Sequence, residues 1–228
     1  MQSWQNTSDD LDEYQLWEKY PHHHKWWNKL YVAETFGYQC GPGGTPTPES
    51  KEYIVRPIYN LAGMGLGAEV KFLEKGDRAT VQPGYFWCEY LKGNHYSVSY
   101  IWQDDDWKVL HCWQGYNSPT NLTKFTKWCR SEYVPKAPNK LNVLKDAQVI
   151  NVEYIDDNPI EIHLRASGNP DGTIHSEYNE YIPIWNDWTE DMKQHYKAEG
   201  YVFIPNPFDD WMDDKPQMKE IRLGYYVR

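Results

Sequence analysis

Residues 151–165 read Asn151-Val152-Glu153-Tyr154-Ile155-Asp156-Asp157-Asn158-Pro159-Ile160-Glu161-Ile162-His163-Leu164-Arg165. Two short runs rich in β-branched residues flank an acidic turn, which is the pattern of a hairpin spanning Val149 to Leu164. Side chains alternate along a strand, so Val152, Tyr154, Ile160, Ile162 and Leu164 share one face. Asn151, Glu153, Glu161, His163 and Arg165 share the other. With Asp156-Asp157-Asn158 as the loop, Ile155 faces Pro159 and Glu153 lies opposite Glu161. Two carboxylates directly opposed on neighbouring strands repel each other. A divalent cation between them offsets that cost, and oxygen-rich ligands suit Mg²⁺. The alternative is a solvated face on which the long Glu side chains splay apart.

Upstream, short strands continue. Tyr53-Ile54-Val55-Arg56 reads as a strand ending at Pro57, and Ala68 to Leu73 as the next. Between them lies Asn60-Leu61-Ala62-Gly63-Met64-Gly65-Leu66-Gly67. Glycines this closely spaced let backbone N–H groups converge on an anion, and Arg56 could supply a permanent cation beside it. A strand follows instead of a helix and Gly-Lys-Ser/Thr is missing, so neither the dinucleotide fingerprint nor the Walker loop is present. An ordinary flexible hairpin is the competing reading. Further strands are expected at Phe86–Leu91, Tyr96–Trp102 and Trp107–Trp113, the last two joined by Asp104-Asp105-Asp106 as a turn.

The first 28 residues are acidic, then aromatic, with Asp9, Asp10, Asp12 and Glu13 suited to a helix N-terminus. Adjacent His22, His23 and His24 point different ways and no carboxylate is spaced to complete a shell, so a solvated turn is expected in preference to a metal site. Lys29 to Phe36 reads as a helix closed by Gly37, and Cys40 to Pro48 as a loop. Lys136–Lys145 is a loop or short helix, Thr189–Glu199 a helix, and Pro205–Pro216 an acidic, Trp-containing loop. High strand content with few helices gives an α+β class.

A chain of 228 residues with 40% hydrophobic content can bury a sizeable core, and 12 Trp, 19 Tyr and 6 Phe exclude a disordered chain. Those rings are expected chiefly as packing in the core and between lobes. The formal net charge of −10 argues against general nucleic-acid binding, although a local cationic cleft would survive it. No run approaches the roughly 20 apolar residues of a spanning helix. Met1-Gln2-Ser3-Trp4 lacks the marks of a signal peptide, so a soluble, cytoplasmic chain is expected. Cys40, Cys88, Cys112 and Cys129 form no Cys-x-x-Cys pair and read as reduced thiols without chemistry.

In this order the segments resemble the ATP-grasp superfamily over roughly Lys29 to Arg165. The matching stretches are Tyr53–Pro57 through Gly63–Gly67, then Trp87-Cys88-Glu89-Tyr90-Leu91-Lys92-Gly93, Tyr96-Ser97-Val98, and Glu153 with Glu161–Arg165. The resemblance implies an α+β fold of two lobes with antiparallel sheets around a nucleotide cleft, divided near 1–91 and 92–228 within one unit. It implies ATP and Mg²⁺ as cofactors. Arg56 takes the place of a phosphate-contacting lysine, under a flap formed by Gly63, Gly65 and Gly67. Glu89, Tyr90 and Leu91 form the adenine hinge, and His95 falls where a ribose-binding acid is expected. Glu153 and Glu161 take the magnesium positions, with His163 in place of an Asn. Arg165 matches a basic residue that steadies an acyl-phosphate; Lys71 and Lys29 are further candidates for phosphate contact. Arg for Lys and His for Asn are departures from the family pattern.

The implied activity is Mg-ATP-dependent joining of a small-molecule or peptide carboxylate to an amine through an acyl-phosphate, with Arg56 and Arg165 as catalytic residues. The competing class is a degenerate scaffold of the same fold, a nucleotide-binding or protein-interaction module. A structural part of a viral assembly belongs to that class; the compact Trp- and Tyr-rich character resembles that of a bacteriophage product, which would act in the host cytoplasm.

Overall fold

The computed structural model describes residues 11, 13–59, 61, 65, 67–118, 121–166, 178–205 and 222–228. The elements run α1 (Glu13–Lys19), a 3₁₀ helix Pro21–Trp27, α2 (Lys29–Phe36), β1 (Cys40–Pro42), β2 (Lys51–Pro57), β3 (Glu69–Leu73) and β4 (Tyr85–Glu89). They continue with β5 (His95–Gln103), β6 (Asp106–Ser118), β7 (Asn121–Arg130), a 3₁₀ helix Asn139–Ala147, β8 (Val149–Ile155) and β9 (Asn158–His163). β10 (Glu180–Trp185), α3 (Glu190–Ala198), β11 (Val202–Pro205) and β12 (Arg222–Val227) complete the chain. Four strands form one antiparallel sheet in the order β1-β4-β2-β3. Eight form a second, ordered β11-β12-β10-β7-β6-β5-β8-β9. The fold is α+β.

Local chemistry sets the boundaries. The Asn28 side chain accepts a hydrogen bond from Tyr31 N at 2.9 Å and so caps α2, which Gly37 closes in the left-handed region at φ 83°. Thr189 caps α3 in the same way through Met192 N. The β5–β6 turn places Asp104 and Asp105 at φ 53° and 58°, a two-residue turn whose twist matches the strands. β6 runs on to Ser118, well past Trp113, and β4 ends at Glu89, leaving Tyr90 and Leu91 outside the strand. Gly63 and all but the first residue of Pro205–Pro216 lie outside the described residues.

In the β8–β9 hairpin Glu153 pairs with Glu161 and Val152 with Ile162, as the alternation requires. The turn differs from expectation. Asp156 adopts φ 51° and the loop closes over Asp156-Asp157, so Ile155 pairs with Asn158 and Tyr154, not Ile155, faces Pro159. Ile160 is the extra residue of a bulge. It leaves the core face and turns its side chain to a cleft, while Pro159 takes the buried place.

Aromatic residues fill the core. Leu16, Tyr20, Trp26, Trp27 and Val32 from the N-terminal helices pack on Val98, Tyr100, Ile150, Val152, Tyr154 and Ile162 of the large sheet. Each such fully buried side chain contributes about 1.5–3 kcal/mol. Tyr100 Oη lies 3.0 Å from Tyr154 Oη and donates to Pro135 O at 2.6 Å, so the buried hydroxyls are satisfied. Tyr53, Val55, Leu73, Val81 and Trp87 form the core of the small sheet. Helix α2 touches both, Val32 facing the large sheet and Ala33 packing with Phe86 and Cys88. That placement carries Lys29, its first residue, to β9. The four cysteines are free thiols, and burial pushes Cys88 up to about 12 and Cys112 to about 11. No helix among the described residues is long and apolar enough to cross a membrane.

Candidate functional site

A cleft of about 730 Å³ opens between the two sheets. The small sheet contributes Ile54, Arg56, Cys88 and Glu89, and the crossing segment Tyr90–Asn94 forms one end. The large sheet contributes His95, Ser97, Gln114, Asn151, Glu153, Glu161, His163, Arg165 and Trp185. Ten residues singled out in the sequence thus line one cavity: Arg56, Gly65, Glu89, Tyr90, Leu91, His95, Glu153, Glu161, His163 and Arg165. Gly67 and Lys71 are not among its lining residues. Gly67 sits at φ 77° against Tyr85 and Pro57, and Lys71 pairs with Glu69 at 2.6 Å on its own strand.

The crossing segment is pinned to the hairpin tip. Asn94 N donates to Asp156 Oδ1 at 3.0 Å and Asp156 N to Asn94 O at 2.8 Å. A Cβ on Gly93 would collide with the Asp156 carboxylate, which explains glycine there. Glu89 faces the cleft, and its Oε1 accepts from Gln39 N at 3.0 Å. Arg56 Nη2 donates to Ile160 O at 2.9 Å and the guanidinium lies over Phe86, 5.4 Å from the ring centre. Its Nε is buried and makes no hydrogen bond among the described residues.

On the hairpin the charged groups alternate. His95 Nε2 lies 3.5 Å from Glu153, while its ring stands edge-on to Phe125 at 4.9 Å. Lys29 Nζ lies 2.7 Å from Glu161, the two side chains being 6% and 14% exposed. Lys29 is not among the residues lining the cleft, its ammonium being engaged by Glu161. His163 presents Nε2 to Glu161 at 3.6 Å and Nδ1 to Glu13 at 2.8 Å. Glu13 also takes Arg165 Nη2 at 2.8 Å and the Trp27 indole N–H at 2.7 Å. Between these groups lies a void of about 10 Å³, room for roughly one water.

These pairings set the protonation states. Burial would push the Glu153 carboxyl up, but His95, His163 and Lys29 outweigh it and hold the group well below the usual carboxylate range. Glu13 behaves alike, burial being outweighed by His163 and Arg165. Burial pushes His163 down, but the charge and hydrogen bond of Glu13, with Glu161, raise it above an ordinary imidazole. Both glutamates are ionised at neutral pH. Glu13 and the seat of Lys29 escaped the sequence reading, since their partners lie 150 and 132 residues away.

No family model and no curated protein matches the chain. Among solved structures, the chain is similar to N5-carboxyaminoimidazole synthetase from Staphylococcus aureus in complex with ADP, with a TM-score of 0.63 at 12% identity, over 96% of this chain and 74% of that one. It is also similar to carboxyaminoimidazole ribonucleotide synthase from Aspergillus clavatus in complex with ATP, with a TM-score of 0.52 at 10% identity, over 96% and 74%. An ATP-grasp superfamily protein from Archaeoglobus fulgidus matches with a TM-score of 0.44 at 14% identity over 72% of this chain, which spans 59% of that protein. What the chain shares with the two synthases is architecture: an α+β fold of two antiparallel sheets with a cleft between them.

Proposed function

We propose that the cleft binds Mg-ATP and that the protein is a ligase joining a carboxylate to an amine through an acyl-phosphate. One observation carries this reading: residues from five separated stretches of sequence, chosen for nucleotide and metal chemistry, line a single cavity. The buried Nε of Arg56, without a partner among the described residues, is a donor that an anion in the cleft would satisfy. The fold neighbours in complex with ADP and ATP support a nucleotide in such a cleft.

Glu153 and Glu161 fit magnesium, being ladder partners that both face the cleft with hard oxygen donors. His163 does not fit as a ligand, because it is engaged by Glu13 and held toward its cationic form, so it acts as a positioning cation. Bound there, magnesium would offset charge on the phosphates. The substrate carboxylate attacks the γ-phosphorus and ADP leaves. The amine nitrogen then attacks the acyl carbon, phosphate leaves and the amine gives up a proton. Arg56 and Arg165 stand as preorganised countercharges to the phosphoryl oxygens.

Saturating Mg-ATP, at about a hundred times Kd, is expected to add roughly 2.7 kcal/mol of stability, a rise in Tm of about 5–10 °C. Glu153→Gln is the cleaner variant, because Glu161→Ala would strand the buried Lys29 ammonium. That variant should lose the magnesium-dependent part of the shift and keep the shift seen with ATP and EDTA. The pairing of Glu161 with Lys29 favours a second reading, a nucleotide-binding scaffold without turnover. ADP release across a panel of amino acids and small carboxylic acids separates the two. A melting curve unmoved by millimolar Mg-ATP would remove the nucleotide from both the ligase and this scaffold.

A further inference from the structure

We infer that His22, His23 and Asp146 form a binding site for a zinc-class divalent ion that clamps the N-terminal segment to the 3₁₀ helix Asn139–Ala147, just before β8. Adjacent histidines alone lack a carboxylate, and the fold brings one from the distant 3₁₀ helix Asn139–Ala147. His22 Nε2 lies 2.8 Å from Asp146 Oδ2 and His23 Nε2 lies 2.8 Å from Oδ1. One ligand atom from each of the three residues falls within 4.8 Å of the other two. Zinc bonds of about 2.0–2.1 Å in a tetrahedral shell need donors about 3.3 Å apart. Each of the two His–Asp146 contacts therefore needs to open by only about half an ångström to admit the ion.

The 3₁₀ helix Pro21–Trp27 explains why two of three histidines converge. Its backbone sets the His22 and His23 rings 4.1 Å apart. His24 turns away, stacking on Trp17 at 3.5 Å with its Nε2 2.7 Å from Trp17 O. The buried His23, its side chain 8% exposed, gives a fixed ligand, while His22 at 59% and Asp146 at 46% leave the ion reachable from solvent, with water completing the shell. Two imidazole nitrogens and one carboxylate suit zinc, nickel or cobalt; magnesium and calcium prefer all-oxygen sets.

None of the three residues lines the cleft, so the site stands independently of the proposed reaction. Its position still matters to the cleft. The Pro21–Trp27 segment lies between α1, which carries Glu13, and α2, which carries Lys29. An ion at His22, His23 and Asp146 fixes the segment that joins the two helices from which these counterions reach β9.

The test uses the full chain stripped with EDTA, exposed to zinc chloride and passed through gel filtration. The expected result is one zinc per chain and a Tm raised by several degrees without ATP. His22→Ala and Asp146→Asn should each lose the zinc and the shift. Cobalt loaded in the same way should give a visible d–d band without a thiolate charge-transfer band, a readout independent of the variants' folding. A wild-type chain that retains no zinc overturns the inference. So does zinc that survives both substitutions, or a thiolate band, either of which places the ion on cysteine.

Discussion

Lys29→Met is expected to destabilise the protein by about 3–5 kcal/mol, the cost of removing one partner from a buried ion pair. In a chain of this size that lowers Tm by roughly 6–20 °C. The ammonium and the Glu161 carboxylate are 2.7 Å apart and both are nearly excluded from water. Without Lys29 the carboxylate loses its principal counterion, and His163 at 3.6 Å is already engaged by Glu13. The double variant Lys29→Met/Glu161→Met removes both charges and should recover much of the loss, because the desolvation cost disappears with the pair. Urea unfolding of the three proteins measures this. A loss below about 1 kcal/mol in the single variant would class the pair with exposed ones and show Glu161 served from the cleft side. The same variant bears on magnesium: with its lysine gone, Glu161 should bind the ion more tightly, and Mg²⁺ should raise the Tm of Lys29→Met more than that of the wild type.

Much of the cleft was legible because its residues sit on short local patterns. Period-two alternation puts Glu153 and Glu161 on one face of their strands; the two-residue turn alone would set Glu153 opposite Ile160, and the bulge at Ile160 restores its pairing with Glu161. Glu89, Tyr90 and Leu91, singled out as a motif, line the cleft where β4 ends and the chain crosses to β5. Strand β7 was not legible. Phe125 and Trp128 pack in the same cluster at a spacing of three, a helical interval, because the ladder slips between Tyr116 and Asn117. Strand β10 was hidden by Pro183, which argues against a central strand. The structure resolves that conflict: β10 pairs with β7 only at Glu180 and Tyr181, so Pro183 needs no donor on that side. Charge partners were the least legible part where they lie far apart in sequence. Nothing local to His22 and His23 foretells Asp146, and nothing local to Lys29 foretells Glu161.

Glu13→Gln is the second substitution expected to act strongly, and its effect should depend on pH. Glu13 is 6% exposed and meets His163, Arg165 and Trp27 at 2.7–2.8 Å. A glutamine fills the same space but leaves Arg165 without its counterion, a cost of about 3–5 kcal/mol near pH 6. The sign of the pH dependence follows from the two shifts. The Glu13 carboxyl is held below its unfolded value of about 4.3. Its contribution is therefore complete above that pH and is lost as pH falls through the lower folded value. His163 is raised above its unfolded value of about 6.5, so its share is complete below that pH and is lost as pH rises through the folded value. Both shifts express one contact, which is strongest between about pH 4.3 and 6.5. The gap in Tm between wild type and Glu13→Gln should be widest there and narrow in acid, where the wild-type carboxyl protonates. In the variant, burial is left as the main influence on His163, and its imidazole should titrate below the wild-type value by NMR. A gap that stays constant from pH 3 to 8 would mean that Glu13 acts by shape alone. The Arg165 guanidinium would then be anchored by something other than this carboxylate, and its aim into the cleft would not depend on the N-terminal helix.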